Sequence, residues 1–192
     1  MNRRSVLRTL GPLLATGGVG GCLERLPTQS AAATPTPVDL SGTKTDDQGG
    51  MVIGRHGGPN GQIFYADNRP RGHDNPAWFH TLTFGLFPYY FEHERLGWEA
   101  RVIYVTDYST VDFTVSTADK RPVMPAPTAP ETFGLATEVT FVAHSDVNGG
   151  MGPALIPFSD QADVSRFIDA YGGERLTFEE ITPVFINQYT GA

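Results

Sequence analysis

The chain has 192 residues, 40% of them hydrophobic and 18% charged, with 14 basic and 21 acidic side chains for a formal net charge of −7, and a single cysteine. No basic face or stripe stands out in that balance, which sets aside a nucleic-acid partner. One cysteine excludes a disulfide framework within the chain, and no Cys-x-x-Cys-His haem attachment is present.

The first residues read as an export signal. Arg3-Arg4 precedes a short apolar stretch, Leu10 to Gly21, broken by Gly11, Pro12, Gly17, Gly18 and Gly20 and ending in Val19-Gly20-Gly21-Cys22. This is too short to span a bilayer; it has the order of a twin-arginine signal closed by a lipoprotein box over residues 1–21. Lipidation of Cys22 would consume the one thiol and anchor the chain at the extracytoplasmic face of the cell membrane. Residues 22–48, with Pro27, Pro35, Pro37 and an alanine-threonine run, read as a disordered tether. Removal of residues 1–21 takes away Arg3, Arg4 and Arg8 and leaves 11 basic against 21 acidic residues, net −10. Lys44 and Lys120 are the only lysines. An acidic surface poor in lysine suits a high-salt milieu and points to a halophilic archaeon.

Beyond the tether the pattern mixes strand and helix. Gly49-Gly50-Met51 opens the folded part. After the glycine-rich turn 57–61, Gln62 to Ala66 is rich in β-formers and predicts a strand. Phe84, Phe87 and Phe91 recur at helical spacing within 79–95, with Pro88 marking a kink or the true first turn. Arg101 to Thr106 predicts a strand buried on both faces. Four prolines between Lys120 and Pro130 mark a linker or an irregular edge. Alternation in 137–143 predicts another strand, and Gly149-Gly150-Met151 follows. A helix over 160–171, capped by Ser159 and ended by Gly172-Gly173, leads to a short strand at 175–178. The chain thus divides into a first unit (49–116), a proline-rich link (117–135) and a second unit (136–192), an α+β architecture with a loosely duplicated theme.

Two copies of Gly-Gly-Met, 100 residues apart between Met51 and Met151, offer two thioethers. Methionine is a soft, neutral ligand that suits Cu(I) and needs no deprotonation. Most methionines instead fill gaps in cores, and Met124 in the proline-rich link is a third one within reach. Asp46 and Asp47 precede the first copy, but hard carboxylates suit Cu(I) poorly. Nothing pairs a nucleophile with a base, and the acidic pairs Glu179-Glu180 and Glu92/Glu94 read as solvated faces, so an enzyme is not expected.

Gly49-Gly50-Met51-Val52-Ile53, Gly58-Pro59-Asn60-Gly61-Gln62-Ile63 and Ile103-Tyr104-Val105-Thr106-Asp107-Tyr108, taken in order, resemble the first half of the NosL family. Ala136 to Val142, Gly150-Met151-Gly152, Ile156-Pro157-Phe158 and Tyr171-Gly172-Gly173 resemble its second half. The resemblance implies a fold of two ββαβ-type units and the role of a membrane-anchored copper chaperone. Such a protein delivers Cu(I) for assembly of the copper centres of nitrous oxide reductase, in denitrification. The implied partners are a copper donor, the reductase or its membrane assembly machinery, and the membrane itself. Met51 and Met151 match the family's methionines. The family's first motif is usually Cys-x-Met, and here Gly49 stands in the place of the thiolate. Two thioethers alone hold Cu(I) weakly, so a further donor is expected among His56, His73, His80, His93 and His144; His56 and His144 are nearest in sequence to Met51 and Met151. A blue-copper carrier would need a cysteine thiolate that lipidation of Cys22 removes. The remaining alternative is a metal-free surface lipoprotein that keeps a NosL-like fold as a binding module.

Overall fold

Two antiparallel sheets share one apolar core, and each is built from the same strand order. In the first, β1 (Gly61–Tyr65) pairs with β2 (Ala77–Phe79) on one side and β3 (Ala100–Thr106) on the other. β4 (Phe133–Leu135) extends it beyond β3, giving β2-β1-β3-β4. In the second, β5 (Thr140–Ala143) is the central strand. A small ribbon of β6 (Asn148–Gly149) and β7 (Gly152–Pro153) follows it, and then β8 (Ile156–Phe158) and β9 (Glu174–Leu176) flank β5 in the order β8-β5-β9. The computed structural model describes residues 33–117 and 121–191, which from Thr34 onward form one unit. The signal, Cys22 and the start of the tether lie outside the described residues.

The helix in the first unit needs two readings. Phe79 ends a strand rather than starting a helix. Leu82–Leu86 is a π-helical turn, with the Leu86 N–H donating to Thr81 O, and α1 proper runs Phe87–Arg95. Pro88 falls in the first turn of α1, where its missing N–H is not needed. Gly97, at φ 83, closes the segment. In the second unit α2 spans Gln161–Tyr171, capped by Asp160, whose side chain accepts from Ala162 N, rather than by Ser159. A third helix, α3 (Pro183–Thr190), was not expected from periodicity.

Both units are therefore ββαβ: β1-β2-α1-β3 and β5-β8-α2-β9. β1 begins at residue 61 and β5 at 140, β2 at 77 and β8 at 156, an offset of 79; α1 begins at 87 and α2 at 161, β3 at 100 and β9 at 174, an offset of 74. The 100-residue spacing of Gly-Gly-Met is a different relation. The first copy precedes β1, whereas the second lies in the β6-β7 turn inside its unit. The two copies are not topological equivalents.

Period-2 alternation decides which face each strand residue serves. Ile63, Tyr65, Ile103 and Val105 point into the shared core with Phe87 and Tyr89 of α1, Phe141 and Ala143 of β5, and Ile186 of α3. Phe64, Val102 and Tyr104 point to the opposite face, where Leu40 and Ile53 cover them. Val142 faces the other way from Phe141 and meets Val164 and Phe167 of α2.

That cover over the first sheet corrects the expected extent of the tether. Leu40 is wholly buried. The buried Gln62 amide accepts from Val38 N at 2.9 Å and donates to Val38 O at 2.8 Å, and the Tyr104 hydroxyl donates to Pro35 O at 2.9 Å. A segment with few apolar residues is held because β1 and β3 present polar groups that take its backbone hydrogen bonds. The proline-rich link is likewise part of the fold. Met124 is fully buried in the second core, Asn60 donates to Pro127 O, the Tyr108 hydroxyl to Pro125 O and Leu40 N to Thr128 O. Its last residues, 133–135, are β4 of the first sheet.

Candidate metal site

Gly49 of the first Gly-Gly-Met copy and Gly152-Pro153, directly after the second, approach one short segment, His80 to Phe84, that leads from β2 into the π-helical turn. On the first side, a Cβ placed on Gly49 would lie 3.9 Å from His80 Cε1. On the second, the Thr83 hydroxyl donates to Pro153 O at 2.8 Å, and Phe84 Cε2 is 4.0 Å from where a Cβ on Gly152 would stand. Three residue steps from His80 to Thr83 span at most about 11 Å. Met51 is half-buried, and Met151 is 49% exposed at the tip of the β6-β7 turn.

A second approach ties them from the other side. His56 and Gly57 pass so close to the ribbon that a Cβ on Gly150 would lie 2.6 Å from Gly57 O and 3.0 Å from His56 Cβ. His56 is exposed and lines a cleft of about 410 Å³ with Arg55, Arg121 and Gly150. It follows Met51 in sequence but sits beside the second copy. The 57–61 turn is largely buried: Gly58, Pro59, Asn60 and Gly61 are all inside.

His144 is placed otherwise. It ends β5 in the left-handed region at φ 56, and its Nε2 lies 3.3 Å from Glu174 Oε1, with the ring edge-on to Tyr189. Its imidazole is committed to that carboxylate and is not brought to Met151 by any contact of the structure. His73 stacks on Trp78 with ring centroids 3.9 Å apart and pairs with Asp47 at 2.9 Å. His93 stacks on Tyr89, with Nδ1 at 2.8 Å from Tyr89 O. Met124, the third methionine, is locked in the second core.

His80, one of the five candidate histidines but not one of the two nearest the methionines in sequence, is the buried one. Its side chain is 2% exposed, and its Nδ1 stands 2.7 Å from Asp46 Oδ2, which also accepts from His80 N at 2.7 Å. The other oxygen of Asp46 accepts from Gln48 N and Gly49 N, each at 2.7 Å. Asp46 is thus saturated by hydrogen bonds and fixes the loop that carries Gly49. His80 Nε2 is buried with no hydrogen-bond partner, as is the neighbouring Thr81 hydroxyl. Nothing in the periodicity of Trp78-Phe79-His80-Thr81 marks this residue, because its value comes from a carboxylate 34 positions earlier. Burial pushes the Asp47 carboxyl up, partly offset by the hydrogen bond from Trp78 N and by His73.

Among the described residues, no three histidine, cysteine, aspartate or glutamate side chains group to hold a metal ion. Soft thioethers on exposed or half-buried turns instead suit a soft ion held by few donors. No helix among the described residues is long and apolar enough to cross a membrane.

Two solved structures resemble this chain. The crystal structure of the copper chaperone NosL from Shewanella denitrificans superposes with a TM-score of 0.61 at 24% identity, covering 79% of this chain and 98% of that one. The solution NMR structure of apo-NosL from Achromobacter cycloclastes has a TM-score of 0.38 at 25% identity, covering 66% and 87%. The likeness of fold rests on the first. No curated protein sequence matches the chain. The NosL family model matches residues 37–186, from the segment that covers the first sheet to the third helix, and on that match the chain belongs to the NosL family.

Proposed function

We propose that this protein is a non-enzymatic copper carrier, exported by the twin-arginine route and lipid-anchored through Cys22 outside the cell membrane, which passes Cu(I) to nitrous oxide reductase or its membrane assembly machinery. Family membership supports it, as does the fold shared with a protein described as a copper chaperone. The observation that carries it is that Gly49 of the first copy and Gly152-Pro153, directly after the second copy, both approach the His80–Phe84 segment. Delivery requires that copper leave, and neutral thioethers give it up to an acceptor richer in imidazole or thiolate. They also escape the disulfide formation that disables paired thiols outside the cell, though not oxidation to sulfoxide.

An anaerobic Cu(I) titration of the intact chain against a chromophoric chelator tests this, with Met51→Ala and Met151→Ala in parallel. One copper per chain, weakened in both variants while the fold persists, is the expected result. Wild-type protein that takes no copper from the chelator would overturn the carrier reading and favour a metal-free binding module.

A further inference from the structure

The cleft beside Gly150 gathers basic groups that copper binding leaves unused. Arg55 and His56 enter it from one segment and Arg121 from another, and no aspartate or glutamate lines it. We propose that this cleft docks an acidic segment of a partner polypeptide through its carboxylates, and so sets that partner next to Met151. A part for the docking in copper transfer rests on the carrier reading; the docking itself does not.

Charge is the first ground. The chain has 21 acidic against 14 basic side chains, and its other clefts mix the two signs. The cleft beside Tyr108 sets Arg166 among Asp112 and Asp163, and the one beside Trp98 sets Arg69 and Arg71 among Asp46 and Asp47. In the Gly150 cleft two permanently charged guanidiniums and an imidazole line one concavity, and neither guanidinium has an ion pair among the described residues. Like charges held together repel, and an incoming anion relieves that repulsion. The second ground is that the backbone under these side chains is fixed. Val123 and Ser116 exchange both their backbone hydrogen bonds, at 2.8 and 2.9 Å. Met124 N donates to Asn148 O at 3.0 Å and Asn148 N to Pro122 O at 2.8 Å, while Gly58 N donates to Met124 O at 3.1 Å. The stretch after Arg121 is thereby pinned to the β6-β7 ribbon on one side and to the stretch after Arg55 and His56 on the other. The two basic stretches are presented together before any ligand arrives, which lowers the ordering cost of binding. Shape is the third ground. A cleft of about 410 Å³ has the size of a ligand pocket rather than of a seat for a lone oxyanion, and Val123 and Pro125 give it an apolar wall. A carboxylate carried on a peptide uses both parts: its head takes the planar guanidiniums, and its methylenes and backbone lie on the wall. A flat membrane surface would leave the concavity unfilled. Met151 follows Gly150 directly and is 49% exposed, so a segment seated here lies at the thioether of the second Gly-Gly-Met.

The test uses the intact, isotope-labelled, copper-free chain with a capped hexaglutamate peptide as the probe. NMR titration should shift the side-chain Nε–H signals of Arg55 and Arg121 and the Gly150 amide, and leave those of Arg95 and Arg175 unmoved. Arg55 and Arg121 are exposed, so the double variant Arg55→Gln/Arg121→Gln should fold normally. It should bind the peptide about five-fold or more weakly, at a fixed salt concentration, whereas Arg175→Gln should bind as the unsubstituted chain does. Cu(I) uptake by the double variant should be unchanged. Equal affinity of the double variant for the peptide, or a capped hexaglutamine peptide that binds as well, would overturn the docking site. Inorganic phosphate that saturates the cleft at the peptide's concentration would replace the polypeptide with a free anion, and anionic phospholipid vesicles that bind where the peptide does not would replace it with a membrane; either result overturns the proposal. Copper uptake without peptide binding sinks the docking site and leaves the carrier reading standing, and peptide binding without copper uptake does the reverse.

Discussion

The two ββαβ units share one strand order but use their helices differently. In the first, α1 lies on the inner face, its Phe87 ring 6.0 Å from Phe141 of the second sheet, so the helix joins the two units. In the second, α2 packs on the outer face, with Val164 and Phe167 against Val142, Ile156 and Phe158. The first sheet then has an outer face with no helix to cover it, and the segment 34–53 takes that place. A repeated topology therefore does not repeat its packing. The segment recruited as cover is the one that carries Asp46, Gly49 and Met51, so the candidate site exists because the first unit's helix was used elsewhere.

That asymmetry can be broken most severely at the joint. Phe87→Ala should cost about 3–5 kcal/mol and lower hydrogen-exchange protection in β1 and β5 together; protection that survives in β5 would mean the units are stabilised separately. A smaller loss should follow from the cover. Leu40→Ala should cost about 3 kcal/mol in urea denaturation, whereas a tether residue would cost nothing measurable. The finest contrast concerns two tyrosines. The Tyr65 hydroxyl in the shared core is buried without a partner, while the Tyr108 hydroxyl in the second core donates to Pro125 O at 2.7 Å. Tyr65→Phe should leave stability unchanged or raise it, and Tyr108→Phe should cost about 1 kcal/mol in the same assay.

Much of this was legible from local pattern. The strands at 61–65, 100–106 and 140–143 and the helix at 161–171 follow from β-rich composition, alternation, helical spacing and the glycines that end them. α3 could have been found as well, since Thr182 before Pro183 is a capping residue ahead of a favoured first position. The cover segment was not legible, because it is held by Gln62 and Tyr104 through its backbone and carries little apolar signal of its own. The site was half legible. Softness of the donor picked out Met51 and Met151, but nearness in sequence picked His56 and His144. His56 lands beside the other copy of the motif, and His144 is turned to Glu174. The value of His80 is visible only once the fold brings Asp46 to it, and the 100-residue spacing of Gly-Gly-Met coincides with a duplication whose elements are offset by 79 and 74 residues.

The crossing of residues 57–58 over 149–150 has an evolutionary consequence. Side chains on Gly57, Gly58, Gly149 or Gly150 would meet backbone oxygens of neighbouring segments at 2.6–3.0 Å, so these four positions tolerate nothing larger than hydrogen. Gly49 has no such constraint; its nearest neighbours stand at ordinary contact distance. The same three letters thus record two histories. In the second copy both glycines are held by steric necessity, whereas in the first Gly50 is held by its positive φ of 70 and Gly49 alone is open to substitution. A Cβ at position 49 would meet nothing closer than ordinary contact distance, whereas one at 149, 100 residues later, would strike Gly58 O at 2.6 Å.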